Sequence, residues 1–235
     1  MLDRSSRRWA KRSHAELVAV EAMGEGQIMK TVSMRLALSA SVLALIFCGV
    51  CEAADDLQAK IQYCKTCHGL SGQGFRGSTP MPRLAGQQAE YFENQLRAFI
   101  ERRRENKFMF GVAHALSPSM TAGLAKHFGD LNPKPLGGGP KELAAAGKKI
   151  FEEGVPEAGI PQCSACHAPD AKGNGQFPRL AGQLHDYISR KLVNWSKERG
   201  QDPANPDTSA LMEPIAHSLT KAQIEAVAAY LSYLE

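Results

Sequence analysis

CKTCHG, residues 64–69, returns as CSACHA at residues 163–168. One Cys-x-x-Cys-His could be a redox dithiol as readily as a porphyrin anchor. Two copies in a chain of 235 residues ask for a common explanation, and the other cysteines bear on it. The chain holds six, and Cys48 and Cys51 lie in the N-terminal segment. From Met29 that segment has a basic start at Lys30 and Arg35, then a mostly apolar run from Leu36 to Val50. Small residues follow at Cys51 and Ala53. This is the pattern of a Sec-type signal peptide cleaved after Ala53, so residues 1–53 read as N-terminal extension and leader. A retained anchor is the alternative, but a span needs ~20 apolar residues and this run is shorter. The Arg-rich residues 1–28 point to Met29 or Met34 as the initiator.

Cleavage leaves four cysteines, all inside the two motifs. Exported proteins ordinarily pair cysteines as disulfides, and here none is spare. A thioredoxin-like pair has no need of the following histidine. Zinc would have to join the two motifs across the chain. Two haem-attachment motifs use every cysteine. The predicted cofactors are therefore two covalently bound haem c groups. Cys64, Cys67, Cys163 and Cys166 form the thioethers, and His68 and His167 reach the irons.

The motifs belong to a longer repeat. PRLAGQ stands at 82–87 and again, unchanged, at 178–183. YFENQLRAF at 91–99 aligns with YISRKLVNW at 187–195, and MFGVAHALS at 109–117 with MEPIAHSLT at 212–220. Blocks in the same order mean two homologous domains. LNPKPLGGGP, residues 131–140, is the linker, because its Pro and Gly residues stop a helix. The first domain then covers 54–130 and the second 141–235. No alternating strand pattern appears. Helices are predicted before each motif, over 87–103 and 184–199, and at the end of each domain, with Ser117 and Thr220 as N-caps. The fold class is all-α. Domains of this size have marginal cores, and a buried haem adds apolar bulk.

For the sixth iron ligand the repeat favours Met109 and Met212, which occupy the same place before each closing helix, in segments expected to be extended or turned. The rival is the other matched pair, His114 and His217. Met81 and Met120 have no counterpart in the second domain and read as packing residues. His127 and His185 are unmatched and read as surface residues. A ligating imidazole needs its second nitrogen held, usually by a carbonyl. Pro82 and Pro178 fall where that carbonyl is expected in a short c-type domain. Arg83 and Arg179 beside them could pair with haem propionates or simply face solvent. Tyr91, Tyr187 and Trp195, at repeat-matched places, either line the haem edge or simply pack, and packing is the favoured reading.

The net charge of +4 gives no warrant for nucleic-acid binding. Residues 54–135 carry 11 Lys and Arg against 7 Asp and Glu, while 136–235 carry 10 against 12. The first domain's excess includes Arg102, Arg103, Arg104 and Lys107, which read either as a solvated face or as a patch that receives an acidic redox partner.

Taken together, the doubled haem motif, the doubled PRLAGQ block, the tyrosine-containing second helices and the matched methionines resemble the cytochrome c4 family, over about residues 54–235. The resemblance implies two tandem class I cytochrome c domains related by pseudo-two-fold symmetry, with the haems close across the interface. It implies a periplasmic electron carrier rather than an enzyme. Expected partners are a terminal oxidase and an upstream dehydrogenase or cytochrome complex, and peripheral membrane association is allowed. A cytochrome subunit of a flavoprotein or alcohol dehydrogenase is the alternative. A dihaem peroxidase fits less well, since both domains offer a methionine where that chemistry needs an open iron.

Overall fold

The computed structural model describes residues 56–199 and 208–235, and the leader expected over 1–53 lies outside them. Residues from Leu57 to Glu235 form one compact unit. Among the described residues there are helices and isolated bridges but no strands.

Helix α1 covers residues 56–68 and runs straight into the first motif. Leu57, Ile61, Cys64 and His68 recur at helical spacing and turn inward, with Ile61 and His68 buried. Next come α2 (Ala89–Ile100), α3 (Lys107–His114) and α4 (Pro118–Gly129). Asn106 caps α3 by accepting from Met109 N. Ser117 caps α4 by accepting from Met120 N, with Pro118 at the first helical position, where its missing N–H costs nothing. Ile61, Phe92, Leu96, Phe99, Leu124 and Phe128 close the first core.

The second half repeats the plan with one interruption. α5 (Ala144–Glu153) does not reach the second motif. Gly154 ends it at φ +75°, where a Cβ would meet Ile160 O at 2.4 Å. The loop VPEAGIPQ, residues 155–162, is pinched by a Val155–Ile160 bridge, and the short α6 (Ser164–His167) follows. The long helix expected over 184–199 is two helices, α7 (His185–Val193) and α8 (Trp195–Glu198). Asn194 makes the break. Its own N–H makes the last helical bond of α7, to Arg190 O, and its side-chain amide donates to that same carbonyl. α9 (Met212–Ser218) leads to α10 (Lys221–Tyr233), whose Thr220–Gln223 pair forms a capping box. α10 packs on α5 and α7, and Phe151, Ile188, Val227 and Leu231 close the second core.

Met109 and Met212 are helical, not extended. Each lies at the start of a short helix, because Asn106 caps α3 and a 3-10 turn over Thr208–Leu211 leads into α9. His185 is not a surface residue. It is 7% exposed, with Nδ1 2.9 Å from Asp186 Oδ1 and Nε2 3.0 Å from Glu225 Oε2. Polar partners on two helices let a histidine be buried, and neighbouring positions in sequence do not reveal that. His127 is half-buried, its ring edge-on to Phe128.

Candidate functional site

The two motifs end in matching geometry. His68 Nδ1 lies 2.8 Å from Pro82 O, and His167 Nδ1 lies 3.0 Å from Pro178 O. A carbonyl only accepts, so Nδ1 carries the proton and Nε2 keeps its lone pair, the tautomer a metal requires. Burial lowers the pKa of both imidazoles. At His68 the charge of Arg104 adds to the effect, while each proline carbonyl works against it. The loops that bring the prolines back are also alike. Gly74 N donates to His68 O and Gly173 N to His167 O. Leu84 N and Ala85 N share Gly72 O, and Leu180 N and Ala181 N share Ala171 O. Gly72 and Ala171 hold the same left-handed turn, at φ +68° and +56°. Ala171 accepts it in a fully buried place, where its methyl joins the second core.

All four motif cysteines are unbridged thiols. Burial raises the Cys64 thiol and pushes Cys163 up to about 11. They line one continuous cavity together with both motif histidines, both prolines, Arg83 and Arg179. Met109, Met212 and Met81 also line it, and Met120, His114 and His217 do not. His114 is exposed and stacks on Phe110, and His217 is exposed with Nε2 2.6 Å from Ser196 Oγ.

The doubled PRLAGQ block forms the contact between the two halves. Arg83 N donates to Gln183 Oε1 and Gln183 Nε2 donates to Arg83 O, at 2.8 and 3.0 Å. Arg179 and Gln87 make the same exchange. Each arginine also donates from Nε to a carbonyl of its own block, Ala85 O or Ala181 O, and both reach Asn132 Oδ1 in the linker. Arg83 further donates to Pro133 O. Glycine is required beside them: a Cβ at Gly86 would lie 2.9 Å from Arg179 Nη1, and Gly86 sits at φ +73°. Burial, with the like charge of Arg179 added, lowers Arg83 to about 10. Thus Arg83 and Arg179 are buried, not solvent-facing.

A second crossed contact lies farther along the chain. Arg104 Nη2 donates to Tyr187 Oη at 2.6 Å and Arg199 Nη2 to Tyr91 Oη at 3.4 Å, while both guanidiniums bond Gln95 Oε1. Arg104 bridges Arg199 through the backbone, and both are over nine-tenths buried. The patch expected from Arg102 to Lys107 is therefore not one surface. Arg102 and Lys107 are exposed, Arg103 is half-buried against Glu101, and Arg104 is inside. Sequence reading gave Gln87, Gln183, Arg199 and Asn132 no role and placed Arg104 on the surface. The one available signal was the identity of all six PRLAGQ positions, more than the proline and arginine roles require.

The residues fit haem c. Paired thiols adjoin a histidine of the right tautomer, and each set faces a cavity wall that carries a thioether. Residues 144–235 match the family described as Cytochrome c. Cytochrome c4 of Thiocapsa roseopersicina is 38% identical over 176 residues, covering 73% of this chain and 86% of that protein. A thiosulfate dehydrogenase electron acceptor of Thiomonas intermedia is 34% identical, covering 86% of this chain and 92% of that protein. The cytochrome c4 structure from Acidithiobacillus ferrooxidans shares 37% identity at a TM-score of 0.61, covering 73% of this chain and 98% of that one. With its doubled haem motif and tandem all-α cytochrome c domains, the chain belongs to the cytochrome c4 family, electron carriers with two covalently bound haem c groups.

Proposed function

We propose that this chain is a periplasmic dihaem carrier that passes electrons to a terminal oxidase or a similar respiratory acceptor, and that it does no bond chemistry of its own. The observation that carries this reading is the matched pair of imidazoles, each held by a proline carbonyl and each facing a shared cavity that a matched methionine also lines. In the proposed assignment, residues 54–130 and 141–235 are the two haem domains, joined by 131–140. Cys64 and Cys67, and Cys163 and Cys166, anchor the haems. His68 and His167 ligate on one face, and Met109 and Met212 on the other. Pro82 and Pro178 hold the imidazoles in orientation, and Arg83 and Arg179 bring positive charge to the cavity wall for the haem carboxylates.

Haem supplies one-electron exchange between ferric and ferrous iron. The chain's contribution is to keep that exchange free of rearrangement. A buried histidine with its Nδ1 fixed cannot swivel, and thioether ligation favours the ferrous state and so raises the potential. Closed coordination on both faces argues against peroxide chemistry, which needs an open iron. The leader at 1–53 supports export. Among the described residues no helix is long and apolar enough to cross a membrane.

A second reading has specific support. The Thiomonas intermedia relative is named as an electron acceptor of thiosulfate dehydrogenase, and a dehydrogenase-linked role places this chain one step earlier, taking electrons from an enzyme. Stopped-flow mixing separates the two. Ferric protein reduced rapidly by a thiosulfate-loaded dehydrogenase supports the second reading. Ferrous protein oxidised rapidly by a terminal oxidase, with slow reduction by the dehydrogenase, supports the first.

A further inference from the structure

The identical positions of PRLAGQ end at Gln87 and Gln183, and the next residue differs: Gln88 in one half, Leu184 in the other. Both are N-cap residues, of α2 and α7, with nearly the same backbone, φ −59° and ψ 130° against φ −62° and ψ 132°. Both N–H groups donate to the Oε1 of the preceding glutamine at 3.0 Å. Neither side chain caps its own helix. Each crosses instead to the histidine loop of the opposite half. Gln88 Nε2 donates to Lys172 O at 2.9 Å and to Gly173 O at 3.3 Å. Leu184 is buried, and its Cδ1 would lie 3.2 Å from a Cβ on Gly74. Gly74 and Gly173 are the matched glycines whose N–H groups hold His68 O and His167 O.

Those glycines also back the segments that orient the imidazoles. A Cβ on Gly173 would lie 2.2 Å from Phe177 O and 2.6 Å from Pro178 O, and a Cβ on Gly74 would lie 2.9 Å from Met81 O. The peptide gripped by Gln88 is thus packed directly on the carbonyl that receives the His167 Nδ1–H. Glu90 adds a second tie. Its Oε1 accepts from Gln176 Nε2 at 2.7 Å, and Gln176 precedes Phe177, whose ring stands edge-on to the His167 ring. The matched carboxylate, Asp186, is turned to His185 instead.

The two crossings differ in kind. An apolar contact fills space and has no preferred angle, whereas an amide N–H fixes the direction of the carbonyl it meets. We propose that Gln88 and Glu90 are positioning residues for the second haem: from the first half they set the loop whose Pro178 carbonyl orients His167, while Leu184 backs the His68 loop by packing alone. The proposal rests on the reading that His68 and His167 ligate the irons. Matched ligands are thereby held by unmatched means. A firmly held carbonyl makes the imidazole a more basic ligand, and a more basic ligand favours ferric iron. Loosening the carbonyl should therefore raise the potential of that haem.

The test uses the holoprotein with Gln88→Leu, which installs the residue of the matched position at similar volume. Proton NMR of the ferric protein reads each imidazole plane from the haem methyl shifts, with the second haem assigned through Phe177. A spectroscopic redox titration reads both potentials. We expect the methyl shifts of the second haem to redistribute and its potential to rise, with the first haem unchanged. Glu90 is exposed, so Glu90→Ala spares the core. It should move the same signals in the same direction by less. Glu90→Gln keeps an acceptor for Gln176 and should give the wild-type spectrum. Wild-type signals from the second haem in both Gln88→Leu and Glu90→Ala, or equal changes in both haems, would overturn the proposal. Wild-type protein whose spectra lack two histidine-ligated haems would overturn the ligation reading itself, and this proposal with it.

Discussion

Gln87 holds the backbone of Arg179 with both ends of its side-chain amide: Oε1 accepts from Arg179 N at 2.7 Å and Nε2 donates to Arg179 O at 3.2 Å. Gln183 holds Arg83 in the same way. The exchange is reciprocal, so the interface obeys the repeat's two-fold relation at the level of single hydrogen bonds. All four residues are buried, so no water stands ready to replace a lost partner.

Gln87→Ala should therefore destabilise the protein by about 1–3 kcal/mol, because it leaves a buried N–H unpaired. Gln183→Ala should do the same. Denaturant unfolding of the holoprotein checks the magnitude, and limited proteolysis within 131–140 checks the location. Unchanged linker cleavage in the double variant would show that the cavity contents alone hold the halves together.

The methionine assignment has a spectroscopic test. Ferric protein should show the weak far-red band of sulfur-to-iron ligation, and the band should fall by about half in Met109→Ala and in Met212→Ala. Met120 lies off the cavity wall, so Met120→Ala should leave it intact. Met81 does line the cavity, which makes Met81→Ala the stricter control: loss of the band there would reassign the first domain's ligand.

Helix crossings in the two cores depend on glycines with different tolerance. A Cβ on Gly147 of α5 would lie 1.9 Å from Ala226 O on α10, a backbone atom with nowhere to go. Gly147→Ala should cost at least the ~1–3 kcal/mol typical of overpacking. On α4, a Cβ at Gly123 meets only the tip of Leu57, at 2.7 Å, and that side chain can turn aside. Gly123→Ala should cost less, and thermal unfolding of the two holoproteins side by side measures the difference.

Charge on the first domain divides by burial. Arg102 and Lys107 are exposed, so replacing both with Gln should slow electron exchange with an acidic partner and flatten its salt dependence. The wild-type rate should fall as salt rises, since exposed charges are screened over ~10 Å at 0.1 M. Arg104→Gln should act instead on stability, because Arg104 donates to Gln95 and Tyr187 inside the interface. A salt-independent wild-type rate in stopped flow would remove charge steering from the first domain.

Local chemistry explains which features were readable beforehand. Cys-x-x-Cys-His is a contiguous motif, and the four cysteines of its two copies left one consistent use. Ser117 and Thr220 act within a single turn, so their caps follow from neighbouring residues. Pro82 and Pro178 lie within fifteen residues of their histidines, inside one repeating loop. The helix break at Asn194 was missed although it too is local, because an asparagine bonding its own helix competes with a strong apolar period.

Sequence alone determined that the chain carries two haem motifs, that it is a doubled all-α unit, and which thioethers and imidazoles are matched between the halves. Only the tertiary structure decided that PRLAGQ is an interface and that Arg104 and His185 are internal. Arg83 meets Gln183 across 100 residues and Arg199 meets Tyr91 across 108. Such contacts leave no periodicity in the chain. An arginine in a basic run looks the same whether water or a neighbouring domain surrounds it, and the difference is set by which desolvated partners the packing of the two halves brings within hydrogen-bonding reach.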